Sequence, residues 1–400
     1  MRKGLAIIAI LLCVGMLQPF GVRAAAGQFK DLSDRHWAKS AILEAVAKGY
    51  VNGYSDGTFR PDRSITRAEV AAMLNRVTKL TEGDNPNPIV LPGTDKHWAR
   101  DHIRKLVSLG VISAADYTKG FEPDKAITRY ELMKWMASGL ARSESSMAQA
   151  LKDTKDTLLP TPESFNGGIK PEQIPYIALV RGTGVVNGYA DGSFKPSEQA
   201  TRAEVLTMML RYEKVEGTKA EGYSDLNEMR AIGVEKTNIE VISGYRFGGD
   251  NYKFTNIVGK TLKFPDMDVV IHQMVAVDLT TEAQKGLYAQ IFVGKDRKPH
   301  QKGFFYLFFE STVTMKTDKY NSLKLFGDIN YNNNIYDFLR VDDDVSSRLG
   351  LTVVPGDNPG KFMTKGTPRR VWSSRGIPSS DGDKEITASD GSKFILEGNY

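Results

Sequence analysis

Apolar residues between Trp37 and Ala47 recur at helical spacing, and Gly49 follows as a C-cap. The pattern then breaks. Asn52-Gly53 and Asp56-Gly57 are turn pairs whose glycines accept positive φ, and Pro61 keeps the loop extended. Thr66 opens a second apolar-periodic run from Ala68 through Leu74, which stops before a Gly- and Pro-containing stretch at 83–92. The unit predicted is helix, loop, helix.

The chain writes this unit three times. Thr66-Arg67-Ala68-Glu69, Thr128-Arg129-Tyr130-Glu131 and Thr201-Arg202-Ala203-Glu204 each carry an Arg eight residues after a Phe, namely Phe59, Phe121 and Phe194. The segment from Val51 to Phe59 returns almost letter for letter as Val186 to Phe194. Recurrence at such a period marks one supersecondary unit used repeatedly. Thr-x-x-Glu before an apolar run is a capping box, in which Thr caps the N3 amide and Glu reaches back to the N-cap amide. That accounts for the three Thr and three Glu but not for the arginines. A cation in the first helical turn opposes the macrodipole and costs about 0.3 kcal/mol or more. Two explanations stand: a guanidinium fork beside a helix N-terminus built to take an anion, or a structural ion pair with a loop Asp.

These blocks, with Phe29-x-Asp31, His36-Trp37-Ala38 and Gly49-Tyr50-Val51-Asn52-Gly53-Tyr54, closely resemble the S-layer homology domain, in three tandem copies from about residue 28 to 212. The resemblance implies an all-α pseudo-threefold bundle with grooves between neighbouring repeats. It also implies non-covalent attachment of a secreted protein to secondary cell-wall polysaccharide, often one bearing a pyruvate ketal. A pyruvyl carboxylate is an anion of the kind the arginines call for. The carbohydrate-binding positions carried over are Arg67, Arg129, Arg202, Asp31, Trp37, Trp98, Gly57 and Gly192. The copies differ. The second keeps His97-Trp98-Ala99 but has Pro92 in place of Asp31, and its loop is one residue longer. The third has Pro175-Tyr176-Ile177-Ala178 in place of His-Trp. Its opening reads as Leu151-Lys152-Asp153, separated from that helix by an insertion at 156–171.

Past Tyr212 the polar stretch 213–221 reads as a linker, and the pattern changes to short runs of Val, Ile, Phe, Tyr and Thr between turn residues. Strands are predicted at 239–242, 252–258, 269–279, 287–293, 303–315, 322–326, 349–354 and 393–396, and a long loop at 355–382. Short strands so punctuated predict an all-β domain over 222–400, a sandwich. The division is therefore a leader at 1–26, repeats at 28–82, 90–142 and 151–212, a linker, and a β domain.

Residues 1–26 read as a secretory signal peptide: Arg2 and Lys3, an apolar core over 5–17, then Ala24-Ala25-Ala26. The single Cys lies inside it, so the expected mature chain has no thiol chemistry and no Cys-ligated zinc. Three of 53 basic residues leave with it against 48 acids, and an excess of two positive charges carries no nucleic-acid signal. No later stretch is apolar enough to span a membrane as a helix. No cofactor motif is present, nor His-Glu-x-x-His or Gly-x-Ser-x-Gly. Candidate chemistry in the β half is thin. His272 reads as a packed strand residue, and Asp342-Asp343-Asp344 and Asp381-Gly382-Asp383 as solvated turns rather than calcium loops. Glu310, beside an aromatic run, is a glycosidase acid only if a second carboxylate faces it. The expectation is a wall-anchored surface protein of a Gram-positive bacterium. The alternative is a wall-anchored glycan hydrolase with its site in the β domain.

Overall fold

The structure, a computed structural model, describes residues 29–81, 89–281, 286–293, 303–318, 339–379 and 382–398. The leader, Asp381 and the strand expected at 322–326 lie outside them.

The N-terminal half is helical. The repeats contribute α1 (Lys39–Ala47) and α2 (Arg67–Val77), α3 (Arg100–Ser108) and α4 (Arg129–Ser143), then α7 (Ile174–Gly182) and α8 (Arg202–Val215). Between them lie α5 (Ser145–Asp153) and the single turn α6 (Glu163–Asn166). Each long helix opens on the capping box foreseen for it, at Thr66/Glu69, Thr128/Glu131 and Thr201/Glu204. The segments just before these helices close on one another. The Ile127 amide donates to the Ile65 carbonyl, Ala200 to Ile127, and Ile65 to Ala200, at 2.9, 3.1 and 3.2 Å. Phe59, Phe121 and Phe194 are fully buried.

The boundary after residue 212 differs from the linker expected. Helix α8 runs on to Val215, a 3-10 turn spans Ala220–Gly222, and Val215 and Ala220 are buried. Then α9 (Ser224–Glu235) packs against α5 and α7. Arg230 meets Asp153 at 2.9 Å, Arg181 meets Asp225 at 3.2 Å, and the Thr157 hydroxyl donates to the Met229 carbonyl. A Cβ at Gly233 would lie 1.9 Å from the Asp153 carbonyl oxygen, so only glycine permits this approach. Polar composition resembled a linker because only one face of these residues is buried.

The remainder contains two antiparallel sheets. The larger has the order β2-β3-β4-β6-β5, from Thr261–Lys263, Met267–Leu279, Phe304–Met315, Arg369–Pro378 and Leu339–Arg340. The smaller pairs β1 (Arg246–Phe247), β8 (Lys393–Glu397) and β7 (Lys384–Thr387) in the order β1-β8-β7. Met274, Leu307, Phe309 and Val371 from the first share a core with Ile386, Phe394 and Leu396 from the second. The strands expected at 269–279, 303–315 and 393–396 are present as β3, β4 and β8. Four other calls do not hold. Residues 239–242 form the turn α10 (Ile239–Ile242), 289–292 form α11 (Ala289–Phe292), and 252–258 are 3-10 turns. Helix α12 (Asp343–Leu349) takes the start of the strand expected at 349. Short apolar runs do not distinguish a strand from a buried helical turn. The loop expected at 355–382 holds β6, whose Arg, Ser and Gly content hid its period. The C-terminal half is thus mixed rather than all-β.

The two halves share buried surface. Val275, Val277, Phe308 and Trp372, on the other face of the large sheet, belong to one hydrophobic cluster with the core of the repeats. Among the described residues no helix is long and apolar enough to cross a membrane.

Candidate functional site: the grooves between repeats

The three arginines are buried and engaged. Arg67 is 7% exposed, Arg129 2% and Arg202 4%. Arg67 places its guanidinium 2.6 Å from the capping-box carboxylate of Glu131 and donates to the Phe121 carbonyl at 2.8 Å, both in the next repeat. Arg129 repeats this with Glu204 at 2.8 Å and the Phe194 carbonyl at 2.9 Å. Arg202 turns back to the first repeat more loosely. It donates to the Asn52 carbonyl at 2.6 Å, its nearest Glu69 oxygen is 3.8 Å away, and its Nε is buried without a partner. Of the two explanations left open by the sequence, the geometry matches an ion pair. The partner is a capping-box Glu of the neighbouring repeat, not a loop Asp.

The helix N-termini are engaged too. The amides of Arg67 and Ala68 donate to carbonyls of Lys125 and Pro123, those of Arg129 and Tyr130 to Glu198 and Pro196, and those of Arg202 and Ala203 to Arg63 and Pro61. Carbonyls of the next loop therefore take the place an anion would occupy. With those donors satisfied and a carboxylate beside it, a first-turn Arg loses most of its penalty.

Asp31, Gly57 and Gly192 build the loops. Asp31 accepts from the amides of Phe59 and Arg60, both at 2.7 Å. Gly57 and Gly192 sit at φ +81° and +83°, each following an Asp that caps the residue two further on. Hydrogen bonding to Thr58 and then Arg60 holds the Asp56 carboxyl well below the usual range. In the second repeat Tyr117, on a 3-10 turn, takes over this region. Its hydroxyl donates to Glu131 as Tyr54 and Tyr189 donate to Glu69 and Glu204. In the third repeat the role of Asp31 falls to Glu163, which accepts from the amides of Phe194 and Lys195 at 2.7 and 2.8 Å. The opening expected at Leu151-Lys152-Asp153 lies instead in α5. Glu163 is invisible to spacing because the insertion separates it from its helix.

Trp37 and Trp98 are 63% and 61% exposed, far more than tryptophans that serve packing. Each lies against the preceding His, at ring distances of 5.8 and 5.4 Å. Each His faces an Asp of its own repeat, His36 with Asp62 at 3.6 Å and His97 with Asp124 at 3.2 Å. Trp37 borders a cavity of about 420 Å³ between the first and third repeats, with Asp62, Asn187, Tyr189, Thr207 and Arg211 among its other walls. Arg211 is half-buried, and among the described residues it makes no hydrogen bond or ion pair. Sequence reasoning missed it. The available signal was the offset: Arg211 follows Arg202 by the interval at which Arg76 follows Arg67, whereas the second repeat has Ser138 there. Arg76 differs in donating to the Tyr50 carbonyl at 3.0 Å. The groove between the second and third repeats is filled from within. Tyr176 packs on Tyr130, and Lys134 lies over Tyr176 while pairing with Asp116 at 2.6 Å.

The Trp37 groove therefore offers an indole face, neutral hydrogen-bonding groups, the carboxylates of Asp62 and Glu204, and the Arg211 guanidinium, which has no partner among the described residues. An indole accepts the apolar face of a sugar, and a free guanidinium pairs with a carboxylate in a two-pronged geometry.

The β half presents a different chemistry. Both Glu310 oxygens are taken, by Gln273 and Arg370, each at 2.8 Å. His272 meets the Thr312 hydroxyl at 2.8 Å, and burial, then Arg370, holds its imidazole below the ordinary range. Asp342 is the N-cap of α12. No group of three or more His, Cys, Asp or Glu placed to hold a metal occurs among the described residues.

The S-layer homology domain signature matches residues 28–71, 91–133 and 167–206. The N-terminal half of the chain is three tandem S-layer homology domains. The chain is similar to cell surface glycoprotein 1 of Acetivibrio thermocellus, 38% identical over 34% of this chain and 6% of the relative. It is 39% identical to a cellulosome-anchoring protein of the same organism, over 28% of this chain and 26% of the relative. With S-layer protein EA1 of Bacillus anthracis it shares 25% identity over 51% of this chain and 22% of the relative. The matches thus span about a quarter or less of these relatives.

Proposed function

We propose that this chain is a secreted protein held non-covalently to the wall of a Gram-positive bacterium by secondary cell-wall polysaccharide. Its helical repeats form the pseudo-threefold anchor, and its C-terminal half is a sandwich-based binding or structural domain without catalytic chemistry. The cycle linking Ile65, Ile127 and Ala200 supports the first description, and the core shared by the two sheets supports the second. The relatives named for surface location and anchoring agree with the assignment. The single observation that carries it is the unpaired Arg211 beside the exposed Trp37. A terminal sugar bearing a pyruvyl carboxylate matches both groups, the ring on Trp37 and the carboxylate on Arg211. Asn187, Tyr189 and Thr207 supply neutral contacts.

Binding of the purified chain to isolated wall polysaccharide tests this reading. Arg211→Ala removes a charge-assisted contact worth about 1.5–3 kcal/mol and is expected to weaken binding with the melting temperature unchanged. Polysaccharide stripped of its ketals should lose the same increment for the wild-type chain and none for the variant. Equal binding by wild type and Arg211→Ala refutes the assignment.

A further inference from the structure

We infer that Phe165, outside the groove, positions the groove's third-repeat loop by tying it to the C-terminal domain; this rests on the reading of that groove as the wall-binding site. The connection is short and continuous. Glu163 holds the amides of Phe194 and Lys195, which end the 186–194 loop that supplies Asn187 and Tyr189 to the groove wall. Pro162, one residue earlier, lies against the loop's turn: a Cβ at Gly192 would be 3.7 Å from the proline ring.

Two residues after Glu163, Phe165 sits edge-on against two aromatic rings of the C-terminal domain, Phe292 at 6.3 Å and Trp372 at 5.9 Å. Those rings lie 5.5 Å apart, and Phe292 stacks on Phe308 of β4 at 4.4 Å. The same strap is pinned upstream, where the buried Tyr288 hydroxyl donates to the Leu158 carbonyl. The eight-residue stretch 158–165 therefore meets the C-terminal domain at both ends, through Leu158 and Phe165, and the binding loop between them, through Pro162 and Glu163. Among the described residues the first repeat shows no such tie, and Asp31 does the work of Glu163 within its own loop. α6 is a single turn with little stability of its own, so release of Phe165 is expected to loosen Glu163, which the Thr161 hydroxyl also holds at 2.8 Å.

Amide exchange on the full chain reads this directly. In Phe165→Ala the amides of Phe194 and Lys195 are expected to exchange at least about tenfold faster, while Phe59 and Arg60 remain as in wild type. Wall-polysaccharide affinity should fall several-fold, and Phe165→Tyr, which keeps the ring, should restore both. Folded Phe165→Ala with wild-type protection at Phe194 and Lys195 overturns the inference. So does accelerated exchange with unaltered affinity. If Phe165→Ala does not fold, Phe292→Leu opens the contact from the other side and must give the same pattern. Arg211→Ala separates the two readings. Undiminished wall binding by that variant defeats the groove assignment, while the exchange result still decides the strap.

Discussion

The guanidinium of Arg67 and the carboxylate of Glu131 meet at 2.6 Å across the boundary between the first and second repeats, with the arginine 9% exposed at its side chain and the glutamate 18%. Glu131 also caps its own helix, so one carboxylate both starts a helix and joins two repeats. Removing either partner strands a buried charge. Arg129→Ala, which breaks the equivalent pair with Glu204, is expected to cost about 3–5 kcal/mol of stability. Arg202→Ala should cost less, because its pair is already at 3.8 Å. Urea unfolding of the two variants checks the order. A binding defect in a variant of unchanged stability would place these arginines in ligand recognition instead.

Asp31 separates loop building from sugar contact. Its two oxygens hold two backbone amides, so Asp31→Ala should destabilise the chain by about 1–3 kcal/mol. Polysaccharide affinity of the remaining folded protein, measured well below its melting temperature, should be unchanged.

Glu228 predicts a pH dependence. Its side chain lies between α9, β3 and the turn before α11, where it accepts from the Leu287 amide at 2.9 Å and the Asn238 side chain at 3.1 Å. Burial, and then the charge of Asp225, pushes its carboxyl up to about 7 from an ordinary 4.5, against those two hydrogen bonds. Between these values the folded chain keeps a proton that the unfolded chain has lost. This group's contribution is therefore greatest below about pH 4.5, falls as pH rises through 7 and is level above. The full span is up to about 3 kcal/mol. Glu228→Gln should flatten that portion of the profile, as judged by denaturant midpoints of the two chains at about pH 5 and pH 8.

A fragment ending at residue 212 leaves exposed the faces of α5 and α7 that Leu226, Met229 and Ile232 cover. Such a fragment is expected to aggregate or melt early. One ending after Lys236 should be better folded and retain wall binding, measured by calorimetry and sedimentation with isolated walls. Equal behaviour of the two would return α9 to the C-terminal domain.

The local code of the repeats was legible in the sequence because each part is short-range. A capping box needs Thr and Glu three residues apart, and a tight turn needs glycine at positive φ. Trp37, Trp98 and the three arginines were marked by recurrence, and the long strands β3 and β4 by runs of Val, Ile, Phe, Tyr and Thr between turn residues. Tertiary structure decided what those residues face. The arginines looked like anion ligands because their partner carboxylates lie 64 and 75 residues away, across repeat boundaries that no local pattern reports. Glu163 stands in for Asp31 only because the insertion folds back on the loop. Arg211 is proposed as a ligand because nothing among the described residues pairs with it, and spacing does not reveal the absence of a partner. The polar stretch read as a linker became the end of α8 and a 3-10 turn with Val215 and Ala220 buried, and α9 follows it directly. The boundary between anchor and β domain was thus set by packing and not by composition.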